Sequence, residues 1–252
     1  MEDKYQYQHN FSQMHGKEMY NISGREQKAK KIIAVLADYY HGDLRDKKLL
    51  DVGCSTGIIS NYLARNFREV VGIDIDKSAV EYAQHNRMLN NANYYVSDGM
   101  NLNFPDGSFD IVNCSQIYEH VPNAQRLMDE INRVLKKGGI CFFAAGNRIK
   151  LIEEHYKLPL LSIFPKPISS LYLRLTKKGK HYYENLLTYW GLRKIVSKFR
   201  IIDYTIKITK NPEKFEAIDM LKSNSFKQKA GIFLLRTNYW IFPSYVWLLR
   251  KD

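Results

Sequence analysis

The chain has only three cysteines in 252 residues, Cys54, Cys114 and Cys141, and none falls in a CxxC pair or at a Cys/His metal spacing. A disulfide framework and a thiolate metal centre are excluded as organising devices, and the thiols are expected reduced and buried in or beside core strands. No run of eighteen apolar residues occurs, and Met1 to Asn10 is polar where a signal peptide would be apolar. A cytoplasmic protein without a membrane-spanning helix is the expectation. Internal repeats and low-complexity linkers are absent as well. With 252 residues the chain can bury a sizeable core, as one large domain or one domain carrying a substantial insertion.

Acidic residues are scarce in one half only. Up to Tyr156, 19 Lys and Arg face 20 Asp and Glu; from Lys157 onward, 19 basic residues face 6 acidic ones. The formal charge of +12 therefore divides into −1 and +13. Such an imbalance points to an anionic partner for the second half: a phosphorylated substrate, an acidic membrane surface or nucleic acid. A merely solubilising lysine-rich face is the plain alternative.

The first half reads as alternating strands and helices. Residues 24 to 40 carry Ile32, Ile33, Leu36 and Ala37 on one helical face. Strands follow at 48–52, 69–74, 92–97, 109–114 and 140–145, with helices at 57–66, 77–90 and 125–135 between them. This alternation implies a parallel sheet. After Gly146 the rhythm breaks: residues 151 to 190 hold Pro159, Pro165 and Pro167, eight Lys, Arg or His residues between His155 and His181, and many tyrosines. Regular structure resumes with a helix at 185–198, a strand at 200–209, helical segments between 212 and 236 and a final strand at 245–250. The chain divides into a helical lid (1–44), an α/β core (45–146), an inserted basic, aromatic substrate cap (147–199) and a C-terminal completion of the sheet with basic helices (200–252).

The most informative stretch is Leu49 to Gly57, LLDVGCSTG, followed about twenty residues later by VVGIDID at 70–76. An apolar strand ending in a glycine turn, then a second ending in a carboxylate, is how doubly wound α/β proteins hold a nucleoside cofactor. Charge decides which one. Asp51 would repel the pyrophosphate of a dinucleotide and attract the sulfonium and ammonium of S-adenosylmethionine. Gly53 and Gly57 let the backbone approach the ligand, and Asp74, 21 positions after Gly53, is placed to accept the ribose hydroxyls.

With Val96 to Val112 (VSDGMNLNFPDGSFDIV), Ile117 to Asn123 (IYEHVPN) and Val134 to Gly139 (VLKKGG) in the same order, residues 45 to 145 resemble the class I S-adenosylmethionine-dependent methyltransferases. The likeness is to their small-molecule and glycan-pathway branch, whose turn reads Asp-Val-Gly-Cys-Gly-Thr-Gly. One departure is Ser55, which stands where that pattern has glycine. The resemblance implies a Rossmann-like, mostly parallel seven-stranded sheet with an antiparallel seventh strand, and S-adenosyl-L-methionine as cofactor. It also implies a cofactor site at Asp51, Gly53, Cys54 and Gly57, at Asp74 and Ile75 by the ribose, and at Asp98, Gly99 and Met100 by the adenine. Ser115 and Gln116, beyond strand four, would face the methionine end. Plain structural roles stay open beside these: turn or helix caps for Asp51 and Asp74, an Asx turn at Asp98.

No catalytic group is fixed by the sequence. Methyl transfer from a sulfonium needs alignment and exclusion of water, and a base only where the acceptor must lose a proton. His120 is a candidate base, or a packed structural histidine; no metal site is expected. Glu153-Glu154-His155-Tyr156 puts two acids, a histidine and a phenol together after strand five, making His155 a second candidate, or the end of a solvated helix. Ile168, Leu171, Tyr172 and Leu175 recur at helical spacing before Lys177, Lys178 and Lys180. Such a stripe more often packs on its own domain than lies on an anionic membrane. Tyr182, Tyr183, Tyr189 and Trp190 suit either stacking on sugars or bases or filling a core.

The expected activity is methyl transfer to oxygen on a small or lipid-linked acceptor bearing phosphate or sugar, with peripheral contact at the inner membrane face as a further expectation. An RNA methyltransferase is an alternative allowed by the +13 half. Two of its subclasses are disfavoured by Asn-Cys-Ser-Gln after strand four, where base amino-methylation uses Asn-Pro-Pro-Tyr, and by the lack of a Pro-Cys nucleophile. A non-catalytic binding module and an NAD-dependent enzyme are the remaining alternatives.

Overall fold

A computed structural model describes residues 6–153 and 155–252. A 3₁₀ turn (Gln6–Asn10) and the short helices α1 (Phe11–Met14) and α2 (Gly16–Met19) lead into the long α3 (Ile22–Tyr40). Then come β1 (Lys48–Val52), α4 (Ile58–Leu63), β2 (Glu69–Asp74), α5 (Lys77–His85), β3 (Ala92–Val96), β4 (Phe109–Ser115), α6 (Ala124–Val134) and β5 (Leu135–Gly146). The second half holds α7 (Lys166–Leu175), α8 (Tyr189–Ile195), β6 (Arg200–Asp203), α9 (Thr205–Lys210), α10 (Phe226–Thr237) and β7 (Ser244–Arg250).

The seven strands form one sheet in the order β3-β2-β1-β4-β5-β7-β6, parallel except for β7, which runs antiparallel between β5 and β6. The chain leaves β1 toward β2 and β3, then returns to β4 on the other side. That reversal opens a crevice at the carboxyl ends of β1 and β4, where ligands bind in such sheets. The central strands are apolar on both faces because both are covered: Leu49, Leu50 and Val52, Val70, Val71 and Ile73, and Ile111, Val112 and Cys114 are all buried. One face packs on α6 and α8 through Leu127, Ile131, Leu192 and Val196; the other packs on α3, α4 and α5 through Leu36, Leu63 and Val80. All three cysteines are free and buried.

The helices start where side-chain caps allow. Asn21, Asp76 and Asn123 accept the amide hydrogens of Gly24, Ala79 and Arg126 at the heads of α3, α5 and α6. Several expected boundaries move, each for a local reason. The helix expected to reach residue 90 stops at His85, because Asn61 bonds the Asn86 carbonyl and the Met88 amide and holds the following turn against α4. The strand expected over 200–209 ends at Asp203, whose carboxylate accepts the Thr205 amide and starts α9. The helix expected from 185 begins only after Thr188, which caps it through the Gly191 amide.

Residues Leu158, Leu161, Leu173 and Tyr182 form a small separate cluster within the stretch between β5 and α8. Around it the apolar stripe of α7 points outward: Ile168, Leu171 and Leu175 are 52%, 50% and 74% exposed, while Ser169 and Leu173 face inward. Of the four stripe residues, Tyr172 packs on its own domain against this cluster, while the other three stay exposed. Among the described residues, no helix is long and apolar enough to cross a membrane.

Candidate active site

The turn after β1 is built by backbone geometry. Gly53 and Gly57 have φ of +73° and +71°, and Ser55 shares the left-handed region at +49°. The Gly53 and Cys54 amides both donate to the Ile73 carbonyl, tying the turn to β2. A Cβ on Gly53 would meet the Ile117 side chain at 2.2 Å, and one on Gly57 would meet the Ala83 Cβ at 2.6 Å. Both positions therefore need glycine, for conformation and for space.

Asp51 lies beneath this turn, only 2% exposed. Its carboxylate accepts from Ser60 Oγ and, at 2.7 Å, from Asn113 Nδ2, while Ser115 Oγ donates to Asn113 Oδ1 at 2.7 Å. Burial pushes the Asp51 carboxyl up, against the hydrogen bonds from Ser60 and Asn113 and the charge of Arg25. Asp51 and Ser115 thus belong to one buried network that braces β1 against β4 and α4.

Asp74 ends β2 half-buried, accepting the Ser55 amide at 2.7 Å and the Asp76 amide at 2.9 Å. Burial raises its carboxyl to about 6 despite those two donors. Ile75 lies half-buried beside it. Asp98 accepts the Met100 amide at 2.8 Å, the Asx turn left open by the sequence. Gly99 fits under Leu127 and Val52, and Met100 is buried in the core. Gln116 is left-handed at φ +58°, its amide held by the Ala144 carbonyl.

The N-terminal helices close over this crevice. Ser12 donates its amide to Asp76 at 2.8 Å, and Thr56 Oγ1 donates to the Met19 carbonyl at 2.7 Å. Arg25, from the first turn of α3, is 6% exposed beside the glycine turn. One of its nitrogens approaches the Cys54 carbonyl at 3.5 Å and another the Met19 sulfur at 3.3 Å, while its buried Nε has no hydrogen-bond partner among the described residues. Burial pushes this guanidinium down, opposed by Asp51, Cys54 and Asp74. Sequence reading did not single out Arg25. The signal was a charge on the apolar face, since 25, 29, 32 and 36 share one side of a helix.

His120 and His155 do come together, with ring centroids 5.1 Å apart, and His15 and Phe11 from the N-terminal segment complete the group. His155 Nδ1 lies 2.9 Å from Glu153 Oε1, and the other Glu153 oxygen accepts the amides of His155 and Tyr156, both at 2.8 Å. Glu153 is fully buried, with Lys150, Glu119 and Glu184 also buried nearby. Glu154, grouped with them from the sequence, lies outside the described residues. Burial alone would lower the His155 pKa, but the hydrogen bond and charge of Glu153, with Glu184 and Glu119, raise it above its ordinary value. His120 goes the other way: burial, then the charges of His155, His15 and Lys150, hold it well below. No group of metal-binding side chains occurs among the described residues.

Residues 50–143 match the methyltransferase domain family Methyltransf_11, and that span runs from β1 to β5 across the site just described. Residues 50–143 thus carry a methyltransferase domain of that family. The chain is similar to the ubiquinone biosynthesis O-methyltransferase of Coxiella burnetii, at 32% identity over 156 residues, 59% of this chain and 62% of that protein. It thus spans rather under two thirds of the length of the curated relatives it matches. A methyltransferase solved with the Haloferax volcanii Trm112 activator shares the fold at TM-score 0.57 and 15% identity, over 100% of this chain and 99% of the other. Geranyl diphosphate C-methyltransferase from Streptomyces coelicolor, solved with S-adenosyl-L-homocysteine, gives TM-score 0.50 at 16% identity over 87% and 76%.

The residues of this methyltransferase domain fit the cofactor. Asp74 is a carboxylate with lone pairs left for ribose hydroxyls, the glycine turn offers backbone without Cβ atoms, and the unsatisfied Arg25 Nε is a buried donor suited to a carboxylate.

Proposed function

We propose that the protein transfers a methyl group from S-adenosylmethionine to a hydroxyl oxygen of a small or lipid-linked acceptor, using the residues around His155. The carrying observation is the His155–Glu153 pair. With Nδ1–H donating to a buried carboxylate, Nε2 is the ring nitrogen left to accept a proton. A hydroxyl needs such an acceptor as its oxygen becomes nucleophilic.

When bound, S-adenosylmethionine supplies an electrophilic methyl group and a neutral thioether leaving group. Arg25 would hold its carboxylate and Asp74 its ribose, fixing the line of attack. Phe11, Ser12 and Met19 would keep water out, because the segment they belong to bonds the crevice at Asp76 and Thr56. His155 would take the hydroxyl proton, and Glu153 would orient the ring and stabilise the imidazolium. Oxygen is supported by the similarity to a ubiquinone biosynthesis O-methyltransferase, and the pair supplies the proton acceptor that a hydroxyl requires. For a phosphate or sugar on the acceptor, support comes from the basic surface of the second half.

Labelled-methyl transfer to a panel of phenolic, sugar and lipid-linked hydroxyl acceptors tests this reading. Label should appear on oxygen, and His155→Asn should remove it while leaving cofactor affinity intact. Label found only on carbon, nitrogen or RNA would overturn it.

A further inference from the structure

The stretch between β5 and α8 exposes apolar side chains and cations together. On α7, Ile168, Leu171 and Leu175 lie at positions i, i+3 and i+7, one side of the helix, and all three are at least half exposed. The loop leading into α7 adds exposed Ile163 and Phe164. No acidic residue occurs from 155 to 183, whereas Lys157, Lys166, Arg174, Lys177, Lys178 and Lys180 all do. Just past the C-terminal end of α7, Arg174, Lys177, Lys180 and His181 line a shallow groove of about 590 Å³ around Gly179.

We infer that this face is a docking surface for an anionic phospholipid bilayer, with the α7 stripe entering the headgroup layer and the basic groove receiving lipid phosphates. The chemistry selects that occupant. A soluble protein partner would cover the apolar stripe but would need a dense acidic patch beside it, and a nucleic acid would use the cations but leave Ile168, Leu171 and Leu175 in water. An anionic bilayer offers both in one surface, phosphates above and acyl chains a few ångströms below. Screening by salt acts on the cations only, so the apolar stripe gives the contact a part that salt does not remove. Docking here goes beyond the acceptor reading and does not depend on it, since it requires no methyl transfer.

Co-sedimentation of the full chain with vesicles tests it, using phosphatidylcholine alone against phosphatidylcholine mixed with phosphatidylglycerol. The protein should pellet with the mixed vesicles and stay in solution with the neutral ones. Leu171→Glu with Leu175→Glu, and separately Lys177→Glu with Lys180→Glu, should each weaken partitioning by about tenfold or more. S-adenosylmethionine titration of each variant confirms that it folds, and methyl transfer to a soluble acceptor is read separately, so a failed acceptor assignment stays distinguishable from failed docking. Wild-type protein that ignores anionic vesicles, variants that bind as well as wild type, or displacement from vesicles by RNA at constant ionic strength would each overturn the proposal.

Discussion

The half ending near β5 and the half beyond it obey different rules. In the first, charge is balanced and the carboxylates at the crevice accept hydrogen bonds from inside the chain: Asp51 from Ser60 and Asn113, Asp74 from two amides, Asp76 from Ser12 and Ala79. In the second, a four-residue cluster carries a surface rich in cations and exposed apolar side chains. A common cofactor can be met by a closed scaffold. Whatever distinguishes this chain from others that share the domain must be met by surface that is left open.

If the division holds, substitutions in the two halves should fail in different measurements. The largest expected effect is at His155, which lies beyond β5 and packs against His15 of the N-terminal segment and His120. His155→Asn should lower kcat by about 10²- to 10⁴-fold with cofactor affinity unchanged, read by steady-state kinetics and calorimetry. Its pH profile sharpens the point. The base works unprotonated, so activity should rise with pH through a midpoint above the ordinary histidine value, and Glu153→Gln should move that limb to lower pH.

Next come the residues proposed to hold the cofactor. Arg25→Ala should weaken S-adenosylmethionine binding by about 10- to 100-fold, the worth of a charge-assisted hydrogen bond, with Arg25→Lys recovering part of it. Gly53→Ala places a Cβ at φ +73° and 2.2 Å from Ile117, and should cost about 1–3 kcal/mol in thermal stability besides weakening binding. A smaller effect concerns Asp74. Its carboxyl titrates at about 6 in the free protein, so affinity should fall as pH drops below that value. If ribose hydroxyls donate to the ionised form, binding lowers this pKa and releases protons near pH 6, which calorimetry in two buffers of different ionisation enthalpy would detect. Its folding linkage has the opposite sense: a carboxyl raised from 3.8 to about 6 favours the folded state at low pH, and that contribution is lost as pH rises from 3.8 through about 6. The smallest effect should be Leu171→Glu, where a half-exposed side chain changes melting temperature by the equivalent of about 0.5 kcal/mol or less. A large loss there would mean that the stripe packs on something.

The parallel sheet was legible because its strands are apolar on both faces and its turns carry glycine where φ is positive. The glycine turn and the carboxylate that ends β2 were legible as geometry for the same reason, since local geometry leaves a local signature. The Asp51 network was less so. A carboxylate that attracts a cation and one that braces two strands look alike until Ser60 and Asn113 are seen beside it. Arg25 was missed because its site partners lie 26 to 49 positions away, at Asp51 and Asp74, and periodicity marks it only as an odd charge on an apolar face. The orientation of α7 was not legible at all. Spacing shows that Ile168, Leu171 and Leu175 share a side, but the inward choice fell to Ser169, which bonds the Leu161 carbonyl, and to Leu173 in the small cluster.

The placement of β7 carries a consequence for biosynthesis. It separates β5 from β6, and β6 joins the sheet only through it. During translation the β5 edge and the β6 segment stay exposed until residues 244–250 leave the ribosome, a window in which chaperone capture competes with edge-to-edge aggregation.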